Sequence, residues 1–208
     1  MNVLEHAIAV FGRWSKKVKS LSTLLYVEEL PGSGWKVVSE RAWRVGEFAG
    51  PPVQTKDEYR LSLETESEES HRARMSREFV AYRVLKTKRS VHAVMTQLLP
   101  YVTEGDAASS VPKVLKRLRG RSNKQVVVES DMEVDESLSA LSNTVFVEQR
   151  LKVHGEDRLL KLVLGNVGRF LLVLECTDRG EGWSWEDVIA VATLQILKIQ
   201  RTLELETR

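Results

Sequence analysis

Side chains capable of chemistry occur throughout this chain, but their spacing does not assemble them into a reacting group. The four histidines, His6, His71, His92 and His154, lie far apart, and none stands four residues from another metal ligand. Transition-metal sites ask for such pairs or for thiolates, and the chain has one cysteine, Cys176. No metal site and no cofactor is therefore expected. Glu64, Glu66, Glu68 and Glu69 form one acidic cluster; Glu129, Asp131, Glu133, Asp135 and Glu136 form another. Two carboxylates divide into acid and base only when burial or a neighbour drives their pKa values apart. Both clusters lie in polar stretches, which reads as solvated surface. No Gly-x-Ser-x-Gly elbow occurs. Gly32-Ser33-Gly34 reads as a turn, and Gly165-Asn166-Val167-Gly168 leads into a strand without the Lys-Ser/Thr of a phosphate loop. The balance leans against an enzyme, and no catalytic residue is named.

Charge and amphipathicity offer more. Lys113, Lys116, Arg117, Arg119, Arg121 and Lys124 fall close together with no acid among them. At helical spacing Lys113, Lys116 and Arg117 share a face opposite Val111, Leu115 and Leu118, a pattern able to contact phosphates. Arg72, Arg74, Arg77, Arg83, Lys86, Lys88 and Arg89 make a second basic region. Single-strand nucleic-acid binding also asks for exposed aromatics between the charges, and Tyr82 alone is near. The acidic clusters can balance both basic regions. A second candidate is the N-terminal stripe Leu4, Ala7, Ile8, Phe11, Trp14 and Val18, spaced by three and four, with Arg13, Lys16, Lys17 and Lys19 at its far end. Such a stripe docks on its own domain, on a partner or second copy, or on an acidic membrane surface.

Composition bounds these readings. Of 208 residues, 42% are hydrophobic and 29% charged, and the net charge is +2. That suits a globular core and argues against a strongly basic nucleic-acid binder. One cysteine permits no intramolecular disulfide, in keeping with a reducing compartment. There is no signal-peptide pattern and no run of eighteen apolar residues, so a soluble cytoplasmic protein is expected.

The elements that must position these groups can be placed by periodicity. Residues 1–30 read as an amphipathic helical extension, ended by Pro31-Gly32-Ser33-Gly34. Residues 34–208 read as one α+β domain. In it Trp35, Val37, Trp43 and Val45 alternate along a half-buried strand. Tyr59–Leu63 suggests a short strand and 66–77 a polar helix. Phe79–Lys86 and Ser90–Pro100 read as strands, and Asp106–Arg119 as a helix with Pro112 in its first turn. Strands follow at Gln125–Glu129, Thr144–Val153, Arg158–Leu164 and Val167–Cys176, with turns at His154–Asp157 and Gly165-Asn166. Ser184 and Asp187 form a capping box for a long helix. Its wide apolar face, Trp185, Val188, Ile189, Ala192, Ile196, Ile199 and Leu203, should lie across a sheet. Helices set apart from mainly antiparallel strands give an α+β layered class.

The Gly34-Trp35 entry strand, the helix near 107–119, the strands from Asn143 to Cys176 and the terminal helix from Trp185 together resemble the Mog1/PsbP-like group. The resemblance covers roughly residues 34–205. It implies a central antiparallel sheet covered by helices and a non-catalytic binding role, and it carries over no site residues. The expected function is thus a binding or scaffold protein using Leu4, Ile8, Phe11, Trp14 and Val18 or a sheet edge. An anion- or nucleic-acid-binding module using residues 113–124 is the alternative. A small-ligand protein, with Trp35, Trp43, Trp183 and Trp185 lining a pocket, or an unrecognised enzyme, comes third.

Overall fold

The computed structural model describes residues 21–44, 79–87, 92–120, 127–129, 138–153, 156–178 and 182–207. Seven strands form one sheet: β1 (Trp35–Arg44), β2 (Phe79–Thr87), β3 (Ala93–Pro100), β4 (Val127–Glu129), β5 (Ser142–Val153), β6 (Glu156–Val167) and β7 (Phe170–Asp178). Their order is β1-β2-β3-β7-β6-β5-β4, and every adjacent pair is antiparallel. The chain makes one meander, β1 to β3, and crosses over through helix α1 (Glu104–Gly120) to the far edge. A second meander returns from β4 to β7, which pairs with β3. Helix α2 (Trp185–Glu206) follows. The expected α+β class is what the chain adopts.

Alternation along the central strands puts one core on each face. Val147, Leu162, Leu164, Leu171 and Val173 pack with Tyr101, Ala107 and Val111 on the α1 face. Phe146, Val163, Leu172, Leu174 and Cys176 pack with Val188, Val191, Ala192, Ile196 and Ile199 on the α2 face. The near-continuous apolar run Leu171–Leu174 follows from burial on both sides. The interface between α2 and the sheet is filled by these side chains.

Both helices are set by capping. Ser184 Oγ accepts from Asp187 N at 3.0 Å while Asp187 Oδ2 accepts from Ser184 N. Thr103 and Asp106 make the same reciprocal pair for α1. That start places Pro112 in the helix interior rather than the first turn. Within α2 the buried face includes Val191 and Gln195, which the expected stripe omitted.

Several expectations need correction. The expected helix does not run through residues 21–30. After Leu21-Ser22 the chain leaves the helix, makes a 3-10 turn at Val27–Glu29, and sends Leu24, Leu25 and Leu30 into the α2-side core. This stretch is core rather than a separable extension; residues 1–20, with Leu4, Ile8, Phe11, Trp14 and Val18, lie outside the described residues. In β1 a bulge between Val37 and Ser39 breaks the period of two. Val37 and Val38 are both exposed, and Glu40 instead stands opposite Arg83. The side chain of Trp43, the whole of Val45, and the segments Tyr59–Leu63 and 66–77 lie outside the described residues.

The turn expected at Gly165-Asn166 is strand. A Cβ on Gly165 would sit 2.7 Å from Leu141 Cγ and 2.9 Å from the Ser142 carbonyl, so glycine is needed there for close packing. The reversal falls at Gly168-Arg169, with Gly168 at φ +53°.

Arg83 belongs by sequence to the second basic region, yet it is 2% exposed. Its Nε and Nη2 reach Glu40 Oε2 at 2.6 and 2.5 Å. Nη1 donates to the carbonyls of Leu24 (3.1 Å) and Leu25 (2.7 Å), and Nη2 to that of Leu21 (3.1 Å). Five contacts match the five N–H donors of a guanidinium. A lysine can supply neither the fork nor the fifth donor. Arg83→Met should lower unfolding stability by about 3 kcal/mol, since it leaves buried carbonyls and Glu40 without their donor. Arg83→Lys should recover only part of this. Urea denaturation gives the measurement; a wild-type midpoint for either variant would show the cluster to be dispensable.

Candidate functional site

Among the described residues, one dense set of ionisable and aromatic groups lies where β7 hands the chain to α2. Asp178, 1% exposed, accepts from the backbone N–H of Gly182 (3.1 Å) and of Trp183 (2.8 Å). Trp183 Nε1 donates to the Thr177 carbonyl, and Lys161 Nζ donates to the Trp183 carbonyl. Lys161 also lies 3.8 Å from Glu148 and 5.7 Å from the Trp185 ring. Trp35 and His92 pack on Trp183 at 6.0 and 5.8 Å. A side chain at Gly182 would strike the His92 ring. Asp178, Lys161 and the Trp183 indole together fix the entry to α2.

Cys176, beneath this corner, is fully buried. Burial pushes its thiol well above the ordinary range, with the Glu175 charge adding to it, so the sulfur stays protonated and a poor nucleophile. Among the described residues no group of three or more His, Cys, Asp or Glu could hold a metal ion.

A different surface is left open. Leu194, Leu197, Arg201 and Leu205 recur at spacings of three, four and four, forming a ridge on the side of α2 away from the sheet. Leu194 is 39% exposed, Leu197 55% and Leu205 65%. The ridge flanks a groove of about 360 Å³ bounded by Leu25, Glu29, Leu194, Leu197, Lys198 and Arg201. Tyr26, itself exposed, lies nearby with Arg83 and Lys198 over its ring at 4.6 and 4.3 Å. Lys198 donates to the Leu24 carbonyl (2.9 Å) and to Glu29 Oε2 (2.7 Å), which ties the groove's two walls together. Gln195 completes the tie: its Oε1 accepts from Leu25 N (3.0 Å) and its Nε2 donates to the Thr23 carbonyl (2.8 Å). Exposed leucines beside the guanidinium of Arg201 can bind an apolar, acidic surface.

The sequence-derived candidates are only partly brought together. Lys113 and Lys116 lie on α1, Lys116 exposed and Lys113 half-buried. Arg117 and Arg119 belong to α1 by their backbone, with side chains outside the described set, as are Arg121 and Lys124 entirely. Of the aromatic candidates Trp183 is buried, and Trp35 and Trp185 are packed against the α2-side core. Sequence reading missed the ridge, although its signal was present. Leu194, Leu197 and Leu205 lie off the apolar face assigned to α2.

Glu29 gives this groove a pH response. Burial alone would raise its carboxyl, but hydrogen bonds from Lys198 and from Tyr26 N, with the charges of Lys198 and Arg83, outweigh it and hold the group below its ordinary 4.5. The folded state therefore binds this proton less readily than the unfolded chain. The stabilisation is complete above the unfolded value and fades as pH falls through the lower folded one. Glu29→Gln should be less stable than wild type at neutral pH, and the two stability curves should converge on acidification. Denaturation midpoints across the acid range test this, and parallel curves would remove Glu29 from the account.

No protein-family model and no curated protein matches this chain. Among solved structures it is similar to the extracellular domain of PknH from Mycobacterium tuberculosis, at 10% identity and a TM-score of 0.57. The likeness covers 89% of this chain and 96% of that one, and at such identity it establishes the fold alone.

Proposed function

We propose that this protein is a non-catalytic binding or scaffold module whose contact surface includes the α2 ridge. The observation that carries the reading is the exposure of Leu194, Leu197 and Leu205 on a helix whose opposite face already fills the core. Isolated exposed leucines are ordinary, whereas an aligned set beside a groove marks an interaction site. Arg201 is exposed within the ridge and makes no hydrogen bond or ion pair among the described residues. The partner it suits is a protein presenting an amphipathic helix with leucine-like anchors and a carboxylate. The Mog1/PsbP-like resemblance favours the same class of role.

A reducing, cytoplasmic setting belongs to this proposal and rests on the single cysteine. No helix among the described residues is long and apolar enough to cross a membrane. The solved neighbour is an extracellular domain, so cell fractionation decides between the two locations. The second reading, an anion-binding module, draws on the exposure of Lys116 along α1.

Native mass spectrometry of the protein isolated from its host at low salt tests both. A stoichiometric protein complex that disappears in Leu194→Asp/Leu197→Asp but persists in Lys113→Glu/Lys116→Glu is the expected result. The opposite pattern, with nucleic acid or another polyanion in the complex, would transfer the function to α1. A bare monomer in every case would defeat the stable-module reading.

A further inference from the structure

The kind of partner that suits the ridge, a helix with leucine anchors and a carboxylate, has a match within this chain: α2 itself. Its outer stripe runs Glu186, Ala190, Leu194, Leu197, Arg201 and Leu205, at spacings of four, four, three, four and four. All six are exposed. Leu194 and Leu197 sit in the middle, with an acid toward one end and a cation toward the other. The Glu186 carboxylate, like the Arg201 guanidinium, makes no hydrogen bond or ion pair among the described residues. A surface that carries both halves of its own complement can close on a copy of itself about a two-fold axis.

Geometry selects one register. Let two such helices cross antiparallel with Leu194 of each level with Leu197 of the other. Ala190 then comes level with Arg201, and Glu186 with Leu205. The small Ala190 side chain leaves room for the guanidinium to reach Glu186 one turn further along. The axis repeats every contact, so both ion pairs form together. A crossing of about 20° keeps the stripes together over their length of about 29 Å. A parallel crossing instead sets Glu186 against Glu186 and Arg201 against Arg201. An acidic membrane suits the stripe badly, because Glu186 and Glu204 are exposed along it. One like-charge contact remains: Glu204 comes level with Asp187, whose carboxylate is already committed to the Ser184 cap. A single helix pair also buries less than the roughly 1,600 Å² of a standard interface. The contact is therefore weak and exchanges readily.

We infer that the ridge binds a second copy of this chain, with the two α2 helices antiparallel, leucine against leucine at the centre and Arg201 against Glu186 at each end. The inference rests on the reading of the ridge as a contact surface and names its partner.

Sedimentation equilibrium of the full-length chain tests this. A monomer–dimer equilibrium with a dissociation constant of about micromolar to millimolar is expected. Glu186→Arg and Arg201→Glu should each weaken it by about tenfold or more, because each turns two attractions into two repulsions. An equimolar mixture of the two variants should regain the wild-type constant, since both pairs in the mixed dimer are again opposite in sign. Recovery also shows that both variants are folded. Glu204→Lys should tighten the dimer by removing the repulsion from Asp187. A wild-type chain that stays monomeric at about millimolar concentration overturns the inference. So does a dimer that survives Leu194→Asp/Leu197→Asp, or loss without recovery on mixing in variants with wild-type circular dichroism. Failure of the binding-module reading is separate. If the chain alone is monomeric but its complex from the host is still lost in Leu194→Asp/Leu197→Asp, the ridge keeps its role with a different partner.

Discussion

The architecture depends on one requirement: Thr23, Leu24 and Leu25 are buried, and no strand or regular helix satisfies their backbone carbonyls. A buried carbonyl left alone costs about as much as a lost hydrogen bond. Arg83 from the sheet and Gln195 and Lys198 from α2 meet this requirement from two sides. In doing so they place charged groups where apolar packing would otherwise continue. Glu40 offsets the guanidinium, and the bulge in β1 is what brings Glu40 opposite Arg83. Irregular backbone, a buried arginine and a broken strand are therefore three parts of one solution.

The corner at Trp183 solves a related problem at the other end of α2. A nine-residue strand must give way to a 22-residue helix across the sheet face. Asp178 holds the connecting backbone, Lys161 holds the Trp183 carbonyl, and Ser184 with Asp187 caps the helix. Because α2 is pinned at Trp183 and tied near its middle by Gln195, its outer ridge has a fixed position relative to the segment at residues 23–29. A surface held this firmly presents its side chains without a folding cost at the moment of contact.

Much of this was legible in the sequence where local rules govern. Ser184-x-x-Asp187 specified the start of α2, alternation located the later strands, and the helical spacing of Val111, Leu115 and Leu118 located α1. What failed were features decided by tertiary contact. Nothing near Leu24 signals that helix gives way to core, because the partners of its carbonyl lie 59 to 174 residues away. Arg83 reads as a surface cation until Glu40 and three carbonyls surround it. Gly165 reads as a turn because its true reason, the approach of Leu141, is not local. The ridge was legible but went unread, since a search for the buried face of α2 discards the residues left over.

The strand order sets a schedule for folding. β7 lies between β3 and β6 although it is the last strand made. Until the chain has been synthesised past Asp178, β3 is the exposed edge of a three-stranded sheet, carrying Val94, Leu98 and other residues destined for the core. Long-range pairing of this kind is slow, and unpaired apolar edges recruit other chains. The half-made protein is thus most exposed to aggregation during the interval between the completion of β3 and the arrival of β7, and a chaperone would have most to do then.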